Sequence, residues 1–240
     1  VKNNPGSGSR LPVFITREYT DNLKDFIDIW AGDPLIDLEV LPKLQMQKRD
    51  HWFYNGARPN YGSVILDTEA IDMRLNCWLK YIFRLNVWFI WHGTNWRHCN
   101  EGPKAGLFQR VFTEPLSFIN WPGSYGNGDG IVFYPGRSPF FPEEDRGLDQ
   151  LIGSIRLKNI RRGQQDYEIM WLAEQAVARE KVIEIVRPVV PRAFSEVGLN
   201  EPVPWSQNGE DYDFVRSQLL SLIDKADLLL LEERLTCPPK

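Results

Sequence analysis

The sequence predicts an α/β protein organised on a parallel sheet, with additional helices after it. Short runs of β-forming residues recur near positions 11, 26, 51 and 86, and helical spacing fills the longer intervals between them. Strands separated by a dozen or more residues of helix pair in parallel, because a hairpin needs only a short turn. From residue 154 onward the pattern is almost wholly helical.

Residues 1–10 are rich in Gly, Ser and Asn and read as a loop or frayed end. Residues 11–19 (LPVFITREY) hold a first apolar run, 22–24 a brief connection, and 26–30 (FIDIW) a second run. Asp33-Pro34 opens a segment to Lys48 with helical apolar spacing. A third strand is expected over 51–55, stopped by Gly56 and Pro59. The clearest helix covers 68–84, where Ile71, Leu75, Trp78, Leu79 and Ile82 form one stripe, with Asp67 or Thr68 as N-cap. Residues 86–91 (NVWFIW) make a fourth strand. Residues 92–141 then read as loop, and so long a loop in a compact domain is usually functional. Ser154 caps a helix to about 174, with Ile155, Ile160, Tyr167, Trp171 and Leu172 at its apolar positions. Further helices are expected over 176–186 and 211–233, the last carrying Phe214, Leu219, Leu220, Ile223 and Leu230.

Composition narrows the function classes. A net charge of -4 and a pI near 5.5 argue against nucleic acid, whose phosphates need a basic face. No apolar run approaches the roughly 20 residues of a membrane-spanning helix. Cys77, Cys99 and Cys237 are an odd number and imply no disulfide framework. Cys99 adjoins His98 and follows His92, but without a paired C-x-x-C this is no zinc site, and no cofactor is implied. His51, His92 and His98 form no readable nucleophilic triad.

Tryptophan is the unusual residue: of nine, six (Trp52, Trp78, Trp88, Trp91, Trp96 and Trp121) fall in the central span. Flat indoles can fill a core or stack on sugar rings, and composition leaves both readings open. The stretch GDGIVFYPGR (128–137) reads as a turn, a short strand and a second turn, framed by Asp129 and Arg137. Gly128 and Gly130 supply the freedom for a sharp turn, and a carboxylate such as Glu143 or Glu144 is the expected partner of Arg137.

Five pieces taken together carry a resemblance: FIDIW (26–30), HWFYNGARP (51–59), DMRLNCWLKY (72–81), GDGIVFYPGR (128–137) and SIRLKNIRRGQQDYE (154–168). In this order they resemble the carboxy-terminal part of the catalytic domain of glycoside hydrolase family 123 and its relatives of unknown function. The resemblance covers residues 11–175 and implies the carboxy-terminal half of a (β/α)8 TIM-type barrel, with 176–240 as helices packing on it. It implies a retaining hydrolase of N-acetylgalactosaminides in which the substrate's acetamido oxygen attacks the anomeric carbon, an exception to the usual two-carboxylate scheme. An adjacent Asp-Glu pair serves that chemistry in the family, at the end of an earlier strand.

No Asp-Glu pair precedes residue 11, so this chain is assigned no catalytic residue. The expected partner is the missing barrel half, from the same chain or another, because two unpaired sheet edges are a poor stopping point. A second departure lies at Arg162-Gly163-Gln164-Gln165-Asp166-Tyr167-Glu168, which lacks the family's acidic residues before Gly163 and before Asp166. Family members acting on external glycans are commonly exported, which favours a secreted or periplasmic place.

Barrel ligands bind at the carboxy ends of the strands. On that rule Asp28 and Trp30 close the second strand, Trp52, Tyr54 and Asn55 the third and Trp91 the fourth, with Trp96, Asp129 and Tyr134 on the following loops. These nine are the candidate sugar-binding residues. Asp28 could instead pair with Arg17 or Arg74, and Arg156, Arg161, Arg162, Asp166 and Glu168 read as a solvated or sheet-docking helix face. The rival function is a non-catalytic carbohydrate-binding or interaction protein on the same scaffold.

Overall fold

A computed structural model describes residues 6–32, 36–47, 50–99, 102–121 and 124–236. Strands β1 (Phe14–Ile15), β2 (Ile29–Gly32), β3 (Asp50–Tyr54) and β4 (Trp88–Phe89) form one parallel sheet in the order β1-β2-β3-β4. Helix α1 (Leu41–Met46) joins β2 to β3, and α2 (Ile71–Phe83) joins β3 to β4. The chain is therefore a mixed α/β protein with a parallel sheet. The start of the 33–48 segment, at Asp33 and Pro34, lies outside the described residues, as does Lys48.

Register explains which side chains meet. Ile15, Trp30 and His51 lie in one row across the sheet, and Gly32, Phe53 and Trp88 in another on the same face. That face meets the helices: Phe53 packs with Leu75, Trp78, Leu79 and Phe194, and Trp30 with Ile27 and Leu44. Phe14, Trp52, Tyr54 and Phe89 belong to the alternate rows and project from the opposite face.

Helix α3 (Ile155–Ala176) lies along α2, and α4 (Arg179–Val186) and α5 (Gly209–Thr236) complete a shared core through Val182, Val186, Tyr212, Val215 and Leu219. Gly163 lets α2 and α3 touch: a Cβ there would stand 2.6 Å from Arg74 O and 2.9 Å from Cys77 Cβ. Ser154 caps α3 as expected, accepting from Leu157 N at 3.1 Å.

The apolar positions assigned to α3 need correction. Ile155, Trp171 and Leu172 are exposed, while Arg156, Gly163, Asp166, Ile169, Met170 and Ala173 form the buried face. Charge goes inside because it is matched there. Asp166 accepts from Arg74 Nε at 2.5 Å, Arg216 Nη1 at 2.6 Å and Trp78 Nε1 at 2.9 Å. Paired and fully hydrogen-bonded, a buried carboxylate is tolerable; unpaired it is not. Phe214 on α5 is likewise exposed, and the Leu230 side chain lies outside the described residues.

Two more corrections concern local signals. The first turn of α2 begins after Ala70 with no side-chain cap; Thr68 Oγ1 instead donates to Ile65 O, and Asp67 accepts from Asn127 Nδ2 at 3.2 Å. The 92–141 loop also contains strands. β5 (Leu116–Trp121) pairs antiparallel with β6 (Ser124–Asn127), and β7 (Phe133–Tyr134) with β8 (Ile152–Gly153). β7 falls in the short strand expected within 128–137, whereas β5 and β6 pair with register shifts and leave no clean alternation in the sequence.

Candidate functional site

Strand alternation puts four aromatic rings on the sheet face away from α1 and α2. Phe14 stands 5.4 Å from Trp52 and 5.2 Å from Phe89, and Tyr54 stacks on Phe89 at 5.5 Å and 25°. Trp52, Tyr54 and Phe89 are half-buried and Phe14 is 39% exposed. The indole N–H of Trp52 is buried and has no hydrogen-bond partner, so what the ring presents at the surface is its apolar face.

At the carboxy ends of β3 and β4 the chain is tied by Asn55, whose left-handed φ of 49° turns its side chain across the sheet. Asn55 Oδ1 accepts from Trp91 N at 2.6 Å, and its carbonyl accepts from Trp88 Nε1 at 2.7 Å. Asparagine tolerates this conformation better than most residues, and its amide holds the neighbouring strand end. The Trp91–His92 peptide is cis.

The GDG turn docks against this end of the sheet. Gly128 and Gly130 have φ of 67° and 74°, as a sharp turn requires. A Cβ on Gly130 would stand 2.8 Å from Asn95 Cβ and 3.5 Å from the Trp91 ring. Asn95 N donates to Gly130 O at 2.8 Å, and Gly93 O accepts from Val132 N and Phe133 N at 2.9 Å. From α3 the buried Arg156 donates Nη1 to Val64 O at 2.7 Å and Gly128 O at 2.8 Å, and Nη2 to Ile131 O. Burial holds the Arg156 pKa below its ordinary value, partly offset by Tyr134 and Asp129. Arg156 thus holds this turn through its backbone carbonyls. Arg137 pairs with Asp149 at 2.9 Å and Asp145 at 3.7 Å; Glu143 goes to Arg110, and Glu144 accepts from Thr113.

The nine sequence-predicted residues therefore separate. Tyr54, Asn55 and Trp91 gather at the carboxy ends of β3 and β4, Asp129 lies in the turn packed on Trp91, and Trp52 stands one row below Tyr54. Trp96 is anchored nearby, its Nε1 donating to Phe133 O at 2.9 Å, and Tyr134 stacks on Phe112 at 5.0 Å. Asp28 and Trp30 do not close the second strand. β2 begins at Ile29, so Asp28 sits at its amino end, accepting from Val13 N at 2.8 Å. Trp30 is wholly buried on the helix face. The strand begins three residues later and ends two residues later than the FIDIW pattern predicts, which leaves both residues short of its carboxy end. Arg74 is committed to Asp166 and Asp213 rather than to Asp28.

Sequence reasoning missed Phe14 and Phe89. Phe89 lies in the NVWFIW run, and two-residue alternation from its pairing with Tyr54 would have placed it. Phe14 becomes part of the face only through pairing with β2, which leaves no local signal.

The titratable groups are otherwise structural. His51, on the helix face of β3, is 5% exposed with both ring nitrogens unpartnered, and burial lowers its pKa to about 4. Burial also lowers the His92 pKa and pushes the Cys77 thiol up to about 12. Among the described residues no group of three or more His, Cys, Asp and Glu side chains converges as a metal site would require, and no helix is long and apolar enough to cross a membrane.

No protein-family model matches the chain, and no curated protein matches it. Among solved structures, the chain is similar to a family 123 glycoside hydrolase from Clostridium perfringens, described in a study of glycolipid glycan hydrolysis. The TM-score is 0.53 over 96% of this chain, at 12% sequence identity. The two share a fold. The chain spans 38% of the length of that hydrolase.

Proposed function

We propose that this chain is part of a retaining glycoside hydrolase acting on N-acetylhexosaminides, N-acetylgalactosaminides first among them, and supplies the sugar-binding wall. The observation that carries the reading is the aromatic surface of Phe14, Trp52, Tyr54 and Phe89 on the face that α1 and α2 leave uncovered. Aromatic faces suit the C–H faces of a pyranose, whose ring stacks flat on such side chains. Fold likeness to a family 123 hydrolase agrees with it.

In this reading further strands pair with the outer edges of β1 and β4, complete a (β/α)8 barrel, and bring the Asp-Glu dyad of the acetamido-assisted route to the same mouth. Isothermal titration of the chain with N-acetylgalactosamine tests the wall: saturable binding is expected, weakened roughly ten-fold by Tyr54→Ala through loss of ring contact. Undiminished binding in Trp52→Ala and Tyr54→Ala together would remove the wall from the site. For the longer protein carrying the added strands, hydrolysis of an aryl N-acetylgalactosaminide with retained anomeric configuration is expected. Binding without turnover there would assign it instead to the non-catalytic carbohydrate-binding class.

A further inference from the structure

A cleft lies in the long segment after β4. Trp96, Phe108, Val111, Pro135, Phe140 and Phe141 wall a cleft of ≈ 150 Å³. Its lining rings are braced: Phe108 stacks on Phe140 at 3.8 Å and 18°, Arg97 lies over Phe108 at 3.7 Å, and Arg110 over Phe141 at 4.6 Å. Trp96 is fixed through Phe133 O. Walls held in this way lose little freedom when a ligand enters.

The polar groups lining the cleft are mostly spoken for. Arg137 is tied to Asp145 and Asp149, and Glu144 accepts from Thr113 Oγ1 at 2.7 Å and Thr113 N at 3.1 Å. Gln109 differs. It is 3% exposed, its Nε2 donates to Asn95 O at 3.1 Å, and its Oε1 has no partner. A buried amide oxygen without a donor costs free energy, which solvent or a ligand N–H or O–H must relieve.

We propose that this cleft binds a small planar ring carrying a single hydroxyl or N–H donor, of the phenol or indole class, with the donor on Gln109 Oε1 and the ring between the aromatic walls. A cavity of about 150 Å³ accepts one benzene-sized ring. A pyranose fits the chemistry poorly, because its several hydroxyls would lose water against walls that are mostly aromatic and apolar. The inference is independent of the sugar-binding reading of the sheet.

Titration of the intact chain with phenol, benzene and N-acetylgalactosamine, followed through the indole N–H resonance of Trp96 (assigned with Trp96→Phe), tests it. Phenol is expected to shift that resonance saturably and to bind roughly ten-fold tighter than benzene, the worth of one buried hydrogen bond. Gln109→Leu should remove the preference for phenol while keeping benzene binding. Phe140 is 58% exposed, so Phe140→Ala should fold and still weaken both ligands. Should Gln109→Leu fail to fold by circular dichroism, the phenol-to-benzene ratio in the parent chain and the Phe140→Ala result still decide. Equal affinity for phenol and benzene, no saturable shift with either, or a shift with the sugar alone would each overturn the proposal.

Discussion

His51 shows how burial sets a charge state. Both ring nitrogens lack partners on the helix face of β3, and the folded pKa is about 4 against an ordinary 6.5. Because the folded value is depressed, the unfolded chain takes up the proton first. Stability is complete above about pH 6.5, falls as the pH drops towards 4, and loses about 3 kcal/mol from this group. Urea unfolding at pH 7 and pH 4.5 should show that loss, and His51→Leu should flatten the difference between the two. Asp166 is the opposite case, a buried charge with every partner present. Asp166→Ala leaves Arg74 with Asp213 alone and takes the carboxylate from Arg216 Nη1 and Trp78 Nε1; it is expected to cost about 3–5 kcal/mol, read as a lowered unfolding midpoint. At Gly130 the positive φ and the close approach of Asn95 leave no room for a side chain. Gly130→Ala is expected to cost at least about 1–2 kcal/mol and to alter the near-ultraviolet circular dichroism of the adjoining Trp91.

Among the elements, those built on apolar periodicity were legible and those built on pairing were not. The stripe from Ile71 to Ile82 predicted α2 to within a few residues, and Ser154 marked the start of α3. The orientation of α3 was misread because Arg156 and Asp166 are buried and Ile155 and Trp171 are exposed, an arrangement that depends on partners from α2 and α5. The contact at Gly163 is equally invisible in one chain segment, since it is set by the backbone of α2. Gly163→Ala is expected to push α2 and α3 apart and lower the thermal midpoint by several degrees, roughly 1–3 kcal/mol by the overpacking rule. Gly8→Ala, which meets nothing within 4 Å, is the control that leaves the midpoint unchanged.

Taken together, the sheet joins a covered face to an open one. Phe53 and Trp30 are sealed by helices, while Phe14, Trp52, Tyr54 and Phe89 form an aromatic surface on the other side. In the proposed reading this surface is the part of the molecule that meets a ligand. The chain is expected to bind a hydrophobic dye there, and the combined change Trp52→Ala with Phe89→Ser should reduce the dye fluorescence several-fold. Unchanged fluorescence would assign the dye to another surface.

The sequence by itself determined the α/β class, the amphipathic helix α2, the cap at Ser154 and the glycine-dependent turn at 128–130, because each follows from a few adjacent residues and their backbone preferences. Tertiary structure alone decided which aromatics share a face, that Asp28 and Trp30 stand away from the strand ends, and that Gln109 meets Phe108 and Phe140 in one cleft. Those outcomes turn on strand register and on contacts between distant segments, where a slip of one residue reverses a face and no local pattern records the choice.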